Sequence, residues 1–362
     1  MRRREALLAM GAGITTGLPA ALRTDKLDEA AEMIAKAAGQ GVLRAASLHV
    51  RQGSRTFRRA FGEARTPEAV FLLASITKPM TATGLMVLAD RGELALSDPV
   101  RKFIPEFSDG DRRKITMRHL LTHTSGLPDM LPENVALRRR QAPLEEFVER
   151  AIRTPLLFEP GAKVSYQSMG ILLAAEAAQR ITGQPFREFL AKEVYGPLGM
   201  DRTALGLGRF RIEDTMLCQV DEAPGVYGGG EDSSSWNWNS PYWRNLAAPW
   251  GGAHSAGSDV AKFLSHFLAP DGRVLQAETA RAMIVNQNEG LDRPWGIGFS
   301  VLSGGFGRGC SPAVFGHTGS TGTIAWADPA KNLSFVLLTT WPAAASDKPL
   351  REPVSDLVSE AA

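Results

Sequence analysis

The chain has 362 residues, of which 44% are apolar and 22% charged, proportions that are ordinary for a globular protein with a large core. The 41 basic and 39 acidic residues leave a net charge of +2, which gives no support for a nucleic acid or another polyanion as partner. An interior basic run, residues 138–140, is typical of a solvated helix face. Cys218 and Cys310 are too few for a disulfide framework and lack metal-binding spacing, so two free thiols or one bridge both fit.

The first 24 residues predict an export signal. Three arginines at positions 2–4 precede a short apolar run, residues 6–14, which is too short and too rich in glycine to span a membrane. Paired arginines before a weakly apolar stretch resemble a twin-arginine signal. We therefore expect residues 25–362 to form a domain exported to the periplasm or the medium, with a cytoplasmic protein as the alternative.

The mature chain is predicted to begin with a helix and a β-hairpin. Residues 27–38 carry apolar side chains at helical spacing. Residues 45–51 and 56–61 are typical of two strands joined by a turn at 52–54.

A candidate nucleophile follows this hairpin. An apolar run leads to Ser75, Lys78 comes three residues later, and a helix is predicted from there to about residue 91. Residues three apart share a helix face, so the Lys78 amine can reach the Ser75 hydroxyl. A partly desolvated lysine can take the proton of a serine, and the helix N-terminus favours negative charge beside it. The alternative is a serine that caps the helix, followed by a solvent-facing lysine.

The next part of the chain, residues 99–250, is predicted to consist mostly of helix and loop, with helices at 144–153, 170–182 and 185–194. His119 and His123 are four residues apart and could ligate a metal from one helix face. No glutamate or third ligand accompanies them, so we favour a structural role.

Two segments of this region and one after it carry further candidates. Tyr166 and Ser168 precede the second helix, and a phenol beside a lysine cation becomes a usable acid or base. Residues 225–250 hold four of the seven tryptophans, which either form the wall of a substrate cleft or anchor a surface excursion. Ser255 lies in an approximate G-x-S-x-G elbow, but the residues before it cannot form the strand which that motif needs. We expect Ser255 to be structural and to cap the helix predicted at 259–268.

The last part of the chain predicts antiparallel strands and a final helix. The strands are expected at 295–302, 314–317, 323–328 and 333–340, and the helix at 353–361. A glycine-rich segment, His317-Thr318-Gly319-Ser320, follows the second strand. Taken alone, it indicates only a hairpin turn.

In chain order, Ser75-x-x-Lys78, Tyr166-x-Ser168 and His317-Thr318-Gly319 resemble the three motifs of the serine β-lactamase-related family. The segment L-L-T-H-T-S-G-L at 120–127 adds to the resemblance, which covers about residues 25–345. The family holds class C β-lactamases, D-alanyl-D-alanine peptidases and esterases. It implies an α/β (α+β) fold of the β-lactamase/transpeptidase type. An antiparallel sheet from about 25–98 and 251–362 would be flanked by the terminal helices, with the mostly helical region 99–250 inserted.

The resemblance also implies roles for single residues. Ser75 would be the nucleophile, Lys78 and Tyr166 would move its proton, and the backbone amides of Ser75 and Ser320 would bind the oxyanion. The residues implied to contact substrate are Ser168, His317, Thr318, Gly319 and Ser320. No metal or other cofactor is implied.

We therefore predict a serine hydrolase that forms an acyl-enzyme on a small-molecule ester or amide, and we favour a carboxylesterase on short-chain acyl esters. His317 stands where the family has lysine and offers little fixed charge to a substrate carboxylate. Ser168 stands where the family has an amide-binding asparagine. A β-lactamase or D-alanyl-D-alanine peptidase is the alternative, and a non-catalytic penicillin- or peptidoglycan-binding module is the alternative from another class. The acyl acceptor, water or an alcohol, and the oligomeric state stay open.

Overall fold

The computed structural model describes residues 22–223, 232–302, 304–345 and 350–362. These residues form two antiparallel sheets. The strands, in chain order, are β1 (Ala45–Gln52), β2 (Arg55–Gly62), β3 (Val70–Leu72), β4 (Thr203–Leu205), β5 (Ala253–Ala256), β6 (Phe315–Thr318), β7 (Ile324–Asp328) and β8 (Leu333–Thr339).

The larger sheet has the strand order β2-β1-β8-β7-β6, so the C-terminal strands complete a sheet that the N-terminal hairpin begins. Each strand sends alternate side chains to opposite faces. In β8, for example, Phe335 and Leu337 pack into one core cluster, whereas Val336 and Leu338 pack into the other. Because both faces of this sheet are covered, β7 and β8 are buried along their whole length.

The helices are α1 (Thr24–Gly39), α2 (Thr77–Asp90), α3 (Met117–Leu121), α4 (Asn134–Arg139), α5 (Leu144–Arg153), α6 (Met169–Thr182), α7 (Phe186–Leu190), α8 (Pro241–Asn245), α9 (Gly257–Leu268), α10 (Ala277–Met283) and α11 (Arg351–Glu360). Helices α1 and α11 pack together over one face of the larger sheet, and α9 covers the other face. Helix α2 is buried on all sides and packs against α6, within the region that contains α3 to α8. This is a β-lactamase/transpeptidase-like α+β architecture.

The smaller sheet, with the strand order β3-β5-β4, lies at the start of α2. Ser255 of its middle strand, β5, pairs with Phe71 of β3 on one side and with Thr203 of β4 on the other. The sheet therefore fixes the segment that carries Ser75.

Most of the predicted elements are confirmed, and one is wrong. Residues 295–302 form no regular strand and make only a bridge between Ser300 and Gly316, because Gly298 has a φ of +79° and turns the chain there. The helix predicted at 185–194 is confirmed, and it consists of α7 followed without a break by a π-helical turn, Ala191–Tyr195.

Three other expectations meet different outcomes. Cys218 and Cys310 are both free thiols, which settles the question that the sequence left open. The proposed export signal lies almost entirely outside the described residues. None of the described helices is both long and apolar enough to cross a bilayer.

The turn between β6 and β7 yields a stability prediction. Gly322 has a φ of +90°, and a Cβ atom there would lie 1.9 Å from the carbonyl oxygen of Trp341. Gly272 has a similar φ of +79° but open space around it. We expect Gly322→Ala to lower the free energy of unfolding by about 3 kcal/mol and Gly272→Ala by only about 1 kcal/mol. Urea denaturation of both variants would measure the difference, and equal losses would contradict the proposed clash.

Candidate active site

Ser75 lies on a 3-10 turn (Ala74–Ile76) that connects β3 to α2. Ala74 has a φ of +49°, a left-handed conformation that alanine rarely adopts. Thr77 Oγ1 donates to the carbonyl oxygen of Ala74 over 2.7 Å and accepts from the amide of Ala253 over 3.1 Å. These bonds to a buried side chain hold the strained residue, and so Ser75, in one position.

The turn between β6 and β7 is hydrogen-bonded to the residues just before Ser75. Thr321 Oγ1 donates to the carbonyl oxygen of Leu72 over 2.9 Å, and Thr323 Oγ1 donates to that of Leu73 over 2.8 Å. A Cβ atom on Gly319 would lie 2.4 Å from the Leu73 oxygen and 2.1 Å from Thr323 Oγ1. Gly319 is thus required by contacts within the protein itself, in addition to any approach of a substrate.

Lys78 is fully buried beside Ser75. Its Nζ lies 3.0 Å from Ser75 Oγ and 2.9 Å from the carbonyl oxygen of Trp250, to which it donates. Burial disfavours the charged amine and lowers the pKa of Lys78 to about 7, against the opposing charge of Asp129. Near neutral pH, a large fraction of Lys78 is therefore the neutral amine, whose lone pair can accept a proton.

Tyr166 packs over this lysine. The centroid of its ring lies 4.7 Å from Lys78 Nζ, and the His123 ring lies 4.7 Å from it on another side. The Nδ1 atom of His123 accepts from the amide of Gln167 over 3.2 Å, and Trp295 packs edge-on against both rings. The position of Tyr166 is thus determined by an aromatic cluster and by the hydrogen bond from the amide of the next residue, Gln167, to His123.

His317 lies at the end of β6 with its ring buried. Its Nδ1 lies 2.7 Å from the carbonyl oxygen of Thr318, which means that this nitrogen carries the hydrogen. Burial and, secondarily, the charge of Lys78 lower the pKa of His317 to about 3. The imidazole is therefore neutral, as the sequence analysis expected, and its ring lies 5.9 Å from that of Tyr166.

Two cavities meet at Ser75, and Tyr166 and Ser320 line both of them. The wide cleft measures about 500 Å³, and the small cavity about 60 Å³. Other residues that line the wide cleft are Arg293, Trp295, His317, Thr318, Gly319 and Arg351. Others that line the small cavity are Asp129, Met130, Arg138, Ser168, Trp238 and Trp250. The predicted site residues are thus brought together from all three motifs.

Ser168 faces the small cavity, but its hydroxyl is already engaged. Ser168 Oγ donates to Asp129 Oδ1 over 2.6 Å, and its amide donates to the Asp129 carbonyl oxygen over 3.2 Å. The small cavity is therefore lined by Ser168 together with the carboxylate of Asp129, which the sequence analysis did not identify.

The tryptophan-rich segment satisfies both of its possible interpretations. Trp238, Trp243 and Trp250 are buried and also line the small cavity. Trp236 is buried beside Arg138. Residues 225–231, which include the run of three glycines, lie outside the described residues.

Ser255 is excluded as the nucleophile. It is fully buried within β5, where its Oγ lies 2.7 Å from Thr203 Oγ1 and donates to the Ala256 carbonyl oxygen over 3.0 Å. The expectation that it caps the following helix is wrong, because Ala256 is the N-cap residue of α9 and no side chain caps that end. The sequence analysis missed the strand because β5 is only four residues long.

The two histidines of the 119–123 segment have structural partners. His119 Nδ1 accepts from the amide of Thr116 in the capping box of α3, and His123 Nδ1 holds the segment of Tyr166 as described above. Across the residues that the structure describes, no group of three or more histidine, cysteine or acidic side chains is placed to hold a metal ion.

Several residues of the site were missed in the sequence analysis. Asp129 lies two residues after the L-L-T-H-T-S-G-L segment, and this position was the only signal for it. Arg138 was assigned to a solvated helix face, but it is 2% exposed and lies over the rings of Trp236 and Trp243, at 5.2 and 4.2 Å from their centroids. Arg293 and Arg351 had no motif that could reveal them.

Comparison with known proteins agrees with the motif order. The family model described as Beta-lactamase matches residues 30–359. The chain belongs to the beta-lactamase family. It is accordingly a serine hydrolase of the family that also contains penicillin-binding proteins.

Relatives within the beta-lactamase family differ in their named activities. Esterase EstB of Burkholderia gladioli is 31% identical over 362 residues, which cover 87% of this chain and 90% of the esterase. A putative D-alanyl-D-alanine carboxypeptidase of Escherichia coli K12 is 25% identical over 349 residues, covering 84% of this chain and 80% of the relative. The solved structure of EstCE1, a hydrolase with promiscuous acyltransferase activity, superposes with a TM-score of 0.76 at 20% identity and covers 93% of this chain and 99% of its own.

Proposed function

We propose that this beta-lactamase-family hydrolase is a carboxylesterase that forms an acyl-enzyme on Ser75 and prefers short-chain acyl esters. The observation that carries the nucleophile assignment is the 3.0 Å separation of Ser75 Oγ from the Nζ of a fully buried lysine. An amine with a pKa of about 7 is close to the optimum for a general base at neutral pH.

The proposed reaction uses groups that are already in position. Neutral Lys78 accepts the hydroxyl proton as Ser75 Oγ bonds to the ester carbonyl carbon. The amides of Ser75 and Ser320 bind the resulting oxyanion. The proton then passes, with Tyr166 between the lysine and the leaving group, to the alcohol oxygen as the carbon–oxygen bond breaks. Water attacks the acyl-enzyme in the same way and releases the acid.

Two features support an ester as the substrate. His317 is neutral, so the third motif supplies no fixed positive charge for a substrate carboxylate. The hydroxyl of Ser168 is bonded to Asp129, and serine lacks the amide group with which the family's asparagine binds an acyl-amide. The small cavity of about 60 Å³ suits a short acyl chain, and the relative with 31% identity is named an esterase.

A D-alanyl-D-alanine carboxypeptidase is the second candidate, because one observation favours it. Arg293 and Arg351 line the wide cleft, and Arg351 Nη1 donates to the Gly319 carbonyl oxygen over 3.3 Å. These cations could receive a peptide carboxylate in place of the missing lysine. Relatives named as such carboxypeptidases are also similar to this chain.

The nucleophile assignment predicts selective labelling. A fluorophosphonate probe should attach to Ser75, and Ser75→Ala should lower kcat for p-nitrophenyl butyrate by at least about a thousandfold without loss of fold. Ser255→Ala is the matched control and should remain reactive, because Ser255 is buried in β5. Peptide mapping of the labelled protein would identify the site, and a label on Ser255 would refute the assignment.

The lowered pKa of Lys78 predicts a pH profile. For a neutral ester, kcat/KM should rise through about pH 7 and then level, because only deprotonated Lys78 accepts the serine proton. Asp129 raises the pKa of Lys78, so Asp129→Asn should move this rise to lower pH. Lys78→Met, of similar length, should abolish activity. A rise near pH 4 that Asp129→Asn leaves in place would indicate a carboxylate base instead.

The substrate assignment predicts that p-nitrophenyl butyrate has a kcat/KM at least about a hundredfold above that of nitrocefin or of a peptide ending in D-Ala-D-Ala. His317→Lys should raise the value for the anionic substrates relative to the ester, because it adds a positive charge, whereas His317→Gln should not. Steady-state kinetics on the three substrates would decide. If nitrocefin or the peptide rivals the ester, the esterase assignment fails and the serine mechanism stands.

A further inference from the structure

A carboxylate that forms no ion pair with the described residues lies in the small cavity beside Ser75. Asp129 lines this cavity together with Ser75 and Tyr166. Ser168 donates to one of its oxygens, and within the described ranges Asp129 forms no ion pair, although its charge raises the pKa of Lys78. A carboxylate can accept about four hydrogen bonds. Asp129 therefore retains acceptor capacity at the place where part of a substrate would lie.

The remainder of the small cavity is mainly aromatic. The indoles of Trp238, Trp243 and Trp250 line it, and indole faces attract cations as well as apolar groups. A volume of about 60 Å³ leaves room for only a few non-hydrogen atoms. A small aromatic cavity with one carboxylate is complementary to a short group that carries a positive charge.

Two basic residues border this cavity: Lys78 lies beside Ser75, and Arg138 is part of the cavity wall. Lys78 has a pKa of about 7 and is partly neutral at neutral pH. Arg138 is charged, but its guanidinium lies over the Trp236 and Trp243 rings and donates to the Trp236 carbonyl oxygen over 3.0 Å. Among the described residues that line this cavity, Asp129 is the one with an anionic side chain, and it is therefore the group that can receive a cation.

We infer that Asp129 binds a primary ammonium group on the acyl part of the substrate, so that the preferred acyl donors are esters of short α-amino acids. This inference rests on the proposed function, because it assumes the acyl-enzyme on Ser75. It also couples binding to activation. An ammonium group beside Asp129 cancels the negative charge that favours protonated Lys78, and the neutral form of the base becomes more populated.

The test compares alanine ethyl ester, as each enantiomer, with ethyl isobutyrate, in which a methyl group replaces the ammonium group. Ethanol release at pH 7.0 gives kcat/KM for each ester. The ammonium group also makes an ester intrinsically more reactive, so the decisive quantity is the change that Asp129→Asn causes in the ratio of the two values. We expect the variant to lower kcat/KM for the better alanine ester about tenfold or more. The same substitution also changes the neutral fraction of Lys78, so ethyl isobutyrate serves as the reference for that effect, and the ratio of the two values should fall about tenfold or more.

The matched control is Asp292→Asn. Asp292 is exposed and lines neither cavity, and its Oδ1 accepts from the amide of Val164, a bond that asparagine can keep. This variant makes the same change in charge and should leave the ratio unchanged. If Asp129→Asn lowers both esters equally, or changes neither, the inference is wrong even when p-nitrophenyl butyrate is hydrolysed and the proposed function stands.

A binding measurement separates this inference from the proposed function. In the Ser75→Ala background, calorimetry should detect alaninamide, and added Asp129→Asn should weaken that binding about tenfold or more. If no ester is hydrolysed by the wild type, the proposed function fails while this measurement still decides the role of Asp129. Equal binding with and without the Asp129 carboxylate would overturn the inference.

Discussion

The buried ammonium group of Lys78 is the constraint on which the rest of the site depends. A lysine taken out of water must either find partners or lose its proton, and here both happen in part. The carbonyl oxygen of Trp250 and the hydroxyl of Ser75 are its hydrogen-bond partners, and Asp129 supplies a more distant negative charge. The resulting balance keeps the lysine near the midpoint of its titration at neutral pH. A helix that is buried on every side is needed to provide such a position, which is why α2 passes through the middle of the molecule.

The scaffold keeps Ser75 in place by bonds from parts of the chain that are distant in sequence. The carbonyl oxygens of Leu72 and Leu73 accept hydrogen bonds from threonines of the β6–β7 turn. On the other side, the amide of Ala253 in β5 donates to Thr77 Oγ1. The first and third motifs are therefore joined by hydrogen bonds from threonine side chains to the main chain. A strained residue such as Ala74 can persist next to the nucleophile only because so many neighbours fix it.

The fold and the main site residues could be predicted from the sequence because their signals are local. The period of α6, the turn between β1 and β2, and the spacing of Ser75 and Lys78 all lie within short windows. The small cavity could not be predicted in this way. Asp129, Arg138 and Trp250 are brought to it by tertiary packing, and a buried arginine over indole rings has the same local pattern as an exposed one. The strand predicted at residues 295–302 is wrong for a related reason, since the positive φ of Gly298 overrides the β propensity of these residues.

The position of β8 between β1 and β7 has a consequence for folding during synthesis. The N-terminal hairpin is made first, but its main partner strand, Leu333–Thr339, leaves the ribosome nearly three hundred residues later. Pairing over such a separation is slow, because a very long loop must close before any contact rewards it. The helical region can form its local contacts before β8 is synthesised, whereas one edge of β1 stays unpaired until then. Chaperone dependence and aggregation during expression should therefore be governed by this hairpin, and a nascent chain that stops before β8 should have no assembled nucleophile.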